Sequence, residues 1–108
     1  MFARIVSMRL KPNTTQEFTQ TIEKKILPIL RRQKGFRDEI TFIAPGGTEA
    51  VGISLWDSRE QADTYNSSTY PTVLKTLDKY LDGPPKVRVS TVISSTSHKV
   101  TAAAVVAA

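Results

Sequence analysis

Four aromatic side chains, Phe42, Trp56, Tyr65 and Tyr70, fall at positions from which they could wall one apolar pocket. Ser7 and Arg9, near the start of the chain, could supply hydrogen bonds to whatever that pocket holds. An aromatic-lined cavity with a positive charge or a donor at its edge can hold a phenol and stabilise its anion, and Arg9 is the candidate for that charge. Core or subunit packing would use the same aromatic residues, so both readings stand at this point. Other chemistry is thin. The chain has no cysteine, which removes disulfides, thiolate nucleophiles and thiolate metal sites. Its one histidine, His98, lies near the C-terminus, whereas a histidine-based metal site converges several ligands, so no metal is expected. Asp57 and Glu60 are close in sequence, but both fall in the first turn of an expected helix, where a cap or dipole role accounts for them. Gly46-Gly47 reads as a hairpin turn and not a phosphate loop, because no helix opening on Lys-Ser or Lys-Thr follows. No residue is assigned as catalytic on these grounds.

The elements that would carry these residues are legible from periodicity. In residues 1–11, Phe2, Val6, Met8 and Leu10 share one parity, which makes a strand with one clearly apolar face. Pro12 and Asn13 break it, and Thr14 with Glu17 three places later is a capping box opening a helix. Phe18, Ile22, Ile26, Ile29 and Leu30 recur at helical spacing. Pro28 lies inside that run and cannot donate to the Lys24 carbonyl, so a kink or an early stop is expected, with the helix ending between Leu30 and Lys34. Gly35 suits a left-handed cap. Phe36, Ile40 and Phe42 share a parity in a second strand over 36–43, with Asp38 as the polar exception. Residues 44–48 make a hairpin turn, and Val51, Ile53 and Leu55 alternate with small residues up to Trp56 in a third strand. Ser58 with Gln61 caps a short helix bearing Ala62 and Tyr65. Residues 66–69 interrupt it, and Pro71 restarts it with the stripe Val73, Leu74, Leu77 and Leu81. After Gly83, Pro84 and Pro85, alternation over 87–94 gives a fourth strand.

This order is strand, helix, strand, strand, helix, strand: an α+β ferredoxin-like chain with a four-stranded antiparallel sheet and its helices on one face. The other face is then bare and apolar on most strands, which calls for a partner, and an identical sheet is the symmetric choice. A homodimer is therefore expected. At 108 residues the chain is the size of one domain and can bury roughly two thirds of its unfolded surface, enough for a core without staples. Arg4 and Arg9 interrupt the apolar residues of the start, so it does not read as a signal peptide, and no stretch is long enough to span a membrane. A cytoplasmic, membrane-free protein is the expectation. Much of the net charge of +5 gathers at Lys24, Lys25, Arg31, Arg32, Lys34 and Arg37, which reads as a solvated helix end complementing its dipole.

The stretch from Leu55 to Ser68 is the most specific in the chain: a tryptophan ends a strand, and a capped helix places an aromatic residue nine positions later. With Lys11-Pro12 after the first strand and Gly35-Phe36 after the first helix, it resembles the antibiotic biosynthesis monooxygenase family. The resemblance covers residues 1–95 and implies a dimeric α+β barrel, leaving 96–108 as a C-terminal tail. That tail is expected to dock on the partner subunit or a neighbouring chain, as a strand or short helix, through Val100, Val105 and Val106. The family includes enzymes that oxygenate polycyclic aromatic compounds without metal or flavin, enzymes that degrade haem, and many members with no assigned activity. The haem-degrading branch uses an asparagine, a tryptophan and a histidine where this chain has Ser7, Tyr65 and Lys75. None matches, and lysine offers no neutral imidazole nitrogen to iron, so haem is not expected. Many other members carry a histidine where Tyr65 stands, which argues against borrowing a general base from that position.

The resemblance thus implies a cofactor-free monooxygenase acting on a small aromatic or polycyclic phenolic compound, with Ser7, Arg9, Phe42, Trp56, Tyr65 and Tyr70 as the ligand-binding set. The alternative is a non-catalytic dimeric module that binds a small molecule. A nucleic-acid binder of this topology would display aromatic residues on a basic, glycine-rich third strand, and residues 49–55 contain neither an aromatic nor a basic residue. No nucleic-acid partner is expected.

Overall fold

The computed structural model describes residues 1–100, so the tail residues Val105 and Val106 lie outside the described residues. Four strands, β1 (Phe2–Arg9), β2 (Phe36–Ile43), β3 (Glu49–Trp56) and β4 (Lys86–Thr91), form one antiparallel sheet in the order β2-β3-β1-β4. Its helices pack on one face, giving the expected α+β ferredoxin-like fold. The register aligns Phe2 with Trp56, Arg4 with Ser54, Val6 with Gly52 and Met8 with Ala50, and residues directly opposite share a face of the sheet. That parity faces the helices. Ala3, Ile5, Ser7 and Arg9 on β1, with Val51, Ile53 and Leu55 on β3, face the other way.

The first helical arm runs as α1 (Thr15–Thr21), a π-helical turn (Ile22–Ile26) and α2 (Leu27–Arg31). Pro28 does not stop the arm early. The wider turn just before it sends the Leu27 N–H to the Ile22 carbonyl, five residues back, so the chain reaches the proline in helical conformation and runs on to Arg31. Thr14 precedes α1 without the expected capping box: its hydroxyl donates to the Lys11 carbonyl at 2.7 Å instead of accepting from the helix. Gly35 follows the arm at φ 82°, where a side chain would also strike Gln61.

The second arm opens at Ser58, whose hydroxyl accepts from the Gln61 N–H at 3.3 Å. Its helix α3 (Arg59–Ser68) continues through three of the four residues expected to interrupt it. The break falls at Thr69 alone, and α4 (Tyr70–Leu77) starts with Pro71 in its first turn, where a missing N–H costs no hydrogen bond. A short 3₁₀ turn, Asp78–Tyr80, leads to Leu81, which bridges Leu10.

Two details shape the faces of the sheet. A β-bulge between Phe36 and Asp38 inserts Arg37 and shifts the parity of β2. Phe36 therefore turns to the helices, where its ring meets Trp56 edge-on with centroids 5.6 Å apart. Ile40 and Phe42 face away from them, so the three apolar residues of β2 do not share one face. β4 is shorter than its alternation suggests, ending at Thr91, and Ile93 beyond it is exposed. From that edge the chain crosses toward β2, where His98 Nε2 lies 3.1 Å from Asp38 Oδ2. The row it crosses holds Ala3, which is buried.

Among the described residues, no helix is long and apolar enough to cross a membrane.

Candidate functional site

A cavity lies between the helix face of the sheet and the two helical arms. Its floor is Val6, Met8 and Gly52, its walls include Ile22 and Ile26 from the π-helical turn and Val73, Leu74 and Leu77 from α4, and Tyr65, Tyr70 and Arg4 close one end. The cavity is open at its mouth and encloses about 530 Å³ of empty space, part of it shared with solvent. Gly52 is there for room and not for backbone freedom. It has no positive φ, and a Cβ at this position would stand 3.5 Å from Thr41 Oγ1 and 3.8 Å from Met8 Cε, so the missing side chain leaves part of the void.

The closed end is electrostatically unusual. Arg4 sits on the apolar parity of β1 and is only 3% exposed, yet among the described residues no carboxylate is within ion-pair distance of it. Its Nη2 donates to Asn66 Oδ1 at 2.8 Å, and its guanidinium carbon lies 4.4 Å from the Tyr70 ring centroid and 5.1 Å from that of Tyr65. Ring faces are weak compensation for a buried cation compared with a carboxylate. Burial lowers the Arg4 pKa, against the opposing pull of the two tyrosines and, more weakly, of Asp63, but a guanidinium keeps its proton at neutral pH. Burial also pushes the Tyr65 phenol up to about 12 and raises that of Tyr70. Both phenols therefore remain protonated and Tyr70 is a donor. Its hydroxyl is buried beside the Arg4 guanidinium, which opposes the rise that burial causes, and its O–H finds no acceptor among the described residues. This end of the cavity offers donors and positive charge with too few acceptors, the arrangement that an anionic or carbonyl oxygen would satisfy.

Trp56, Tyr65 and Tyr70 come together here. The Trp56 and Tyr65 rings stack with centroids 4.9 Å apart, and Tyr65 lies 6.1 Å from Tyr70. Trp56 is 0% exposed, and its Nε1 donates to Ser54 Oγ at 2.9 Å, so it backs Tyr65 and does not line the void. Ser7, Arg9 and Phe42 are not brought to this cavity. The two residues of β1 are one position out of phase with the helix-facing parity, and the bulge in β2 leaves Phe42 on the open face beside Ile40, with which it is 49% and 58% exposed respectively.

The sequence reading missed Arg4 and two residues of β2, Glu39 and Thr41, which also line the cavity. An arginine on the apolar parity of β1 was the available signal for the first. Among the described residues no three of His, Cys, Asp and Glu gather closely enough to hold a metal ion.

No protein-family model matches the chain, and no curated protein matches it in sequence. Solved structures do. A monooxygenase of Streptomyces coelicolor, in complex with nanaomycin D, is similar at 19% identity with a TM-score of 0.74 over 87% of this chain and 88% of that one. The cofactor-independent oxygenase SnoaB of Streptomyces nogalater superimposes with a TM-score of 0.70 at 11% identity, over 90% of this chain and 97% of that one. A third structure, of an antibiotic biosynthesis monooxygenase, gives a TM-score of 0.68 at 16% identity, over 87% of this chain and 100% of that one. The chain has the fold of the antibiotic biosynthesis monooxygenase structures.

Proposed function

We propose that this chain is a cofactor-independent monooxygenase that holds a small aromatic or polycyclic phenolic compound in the cavity between sheet and helices. The observation that carries the reading is the donor-rich end, where among the described residues a buried Arg4 has no carboxylate within ion-pair distance and the buried Tyr70 O–H has no acceptor. An aromatic ring fits the apolar walls, and its phenolic oxygen, held as the anion, satisfies both groups. An electron-rich anion of this kind is what dioxygen needs in the absence of a metal or flavin. Neighbours of the same fold support the reading, because one is a monooxygenase solved with nanaomycin D and another is a cofactor-independent oxygenase.

The test is a panel of hydroxylated aromatics in which binding and oxygen consumption are followed together, with and without a chelator and with added flavin. Oxygen uptake that survives chelation and ignores flavin is expected. Gly52→Leu, which puts a side chain into the floor, should weaken binding by ten-fold or more while leaving the fold intact by circular dichroism. Binding without oxygen uptake across the panel would favour the non-catalytic module, and strict dependence on metal or flavin would remove the proposal.

The same reading includes a homodimer through the open sheet face. Ile40 and Phe42 are too exposed and too apolar for a free surface, and Val51, Ile53 and Leu55 extend the patch beside them. Sedimentation should give a dimer at micromolar concentration for the native chain and a monomer for Ile40→Arg combined with Phe42→Glu. A native chain that sediments as a monomer would count against it.

A further inference from the structure

One carboxylate lines the cavity. Glu39 lies on the same cross-strand row as Arg4: it pairs with Ser54 on β3, and Ser54 pairs with Arg4 on β1. Neighbouring strands are separated by about 4.8 Å, so the two backbones stand roughly 10 Å apart, with the cavity over the row between them. Among the described residues no lysine or arginine is within ion-pair distance of Glu39. The Thr41 hydroxyl donates to its Oε1.

On its other side Glu39 borders a second opening, lined by Glu23, Leu27 and Ile43 and sharing Ile22, Glu39 and Thr41 with the first. A half-buried carboxylate between a cavity and an opening can take a proton from one and release it to the other.

We infer that Glu39 is the general base of this site, removing a proton from an acidic C–H or O–H of the bound compound. The ligand's C–H or O–H bond breaks and an O–H bond forms on a Glu39 carboxylate oxygen. The electron pair stays on the ligand, delocalised onto the oxygen held by Arg4 and Tyr70. The cavity carries one positive and one negative charge before and after. Proton transfer moves the negative charge along the row, from Glu39 to a place beside the buried Arg4, and that is the direction Coulomb's law favours. Burial raises the Glu39 pKa, with the Thr41 hydrogen bond opposing and Asp38 adding to the rise, which brings a carboxylate nearer the basicity that the task requires. The groups that face it are Thr41 on its own strand, Arg4 and Tyr65 across the cavity and Glu23 across the second opening, while Asp38, its neighbour in sequence, acts from the opposite face of the sheet. No histidine lines the cavity to do this work.

The inference rests on the proposed oxygenase reading for the fate of the anion, but its own step needs no oxygen and can be measured without it. Anthrone, whose C10 hydrogen is acidic, is incubated with the protein in heavy water under nitrogen, and deuterium entry at C10 is followed by NMR. The native chain should accelerate exchange, and Glu39→Gln should lose about 100-fold or more of that rate while binding anthrone within a few-fold of native. Glu39→Asp should keep a measurable part. Thr41→Val removes the hydrogen bond that favours the charged carboxylate, so the acidic limb of the exchange rate should move to higher pH. Exchange by Glu39→Gln at the native rate, or a limb unmoved in Thr41→Val, overturns the inference. Failure of the two readings is separable. Glu39-dependent exchange without oxygen uptake in air keeps the base and removes the oxygenase. Native-rate oxygen uptake by Glu39→Gln does the reverse.

Discussion

Trp56→Ala should cost about 3–5 kcal/mol of folding stability, the range for deleting a fully buried large aromatic side chain. The indole makes contacts on three sides that nothing else in the chain can replace. It stacks on Tyr65, meets Phe36 edge-on and donates to Ser54. Removing it opens a void between the end of β3 and helix α3 and leaves the Ser54 hydroxyl without its donor. Urea unfolding followed by circular dichroism measures the change. Trp56→Phe keeps most of the packing and loses the hydrogen bond, so it should retain the larger share of the stability. A cost below about 1 kcal/mol for the alanine variant, the level of surface positions, would contradict the burial seen here. Because Trp56 backs Tyr65, the damage should also reach ligand binding, through a cavity wall that has lost its support.

Arg4→Met separates stability from function. The methionine keeps the length and apolar stem of the side chain and removes a buried cation with no carboxylate within ion-pair distance among the described residues, so stability should hold within about 1 kcal/mol or rise by a few. The rate with a phenolic substrate should fall by about 100-fold or more, the scale seen when a fixed donor to a developing oxyanion is deleted. Arg4→Lys should not restore it, since an ammonium neither reaches Asn66 and the ligand together nor spreads flat against two rings. Melting temperature and turnover measured on the same preparations give the answer. A variant that loses stability and keeps its rate would assign Arg4 to the core and not to the site.

Much of the architecture could be read from residue spacing because the strands alternate and the helix faces are continuous. The bounds of β2 and β3, the buried Trp56, the Ser58 cap and the left-handed Gly35 all follow from local chemistry. The site was less legible, for a specific reason. Tyr65 and Tyr70 lie on helices, whose buried face is set by periodicity, whereas Ser7, Arg9 and Phe42 lie on strands, where one residue of phase decides between cavity and open face. In β2 the apolar parity faces away from the helices and the polar one, Glu39 and Thr41, faces the cavity, the reverse of what alternation suggests for a chain considered alone. Thr14 failed as a cap because its backbone sits at φ −109° and ψ −2° and not in the extended conformation that aims an N-cap oxygen at the helix N–H groups. That conformation is invisible until the loop geometry is known. Pro28 was a sound warning answered by an unexpected device, since a π-helical turn is not encoded in any simple spacing.

The bulge at Arg37 also reconciles two lengths of chain. Residues 38–43 take their register from the hairpin that joins β2 to β3, while Phe36 takes its place from the end of the first helical arm at Gly35, and the two demands differ by one residue. With Arg37 as slack, both are met. The helical arm and the hairpin can then change length or sequence independently of each other, as two parts joined by an expansion gap, without either dragging Phe36 off Trp56 or exchanging the inner and outer surfaces of the strand.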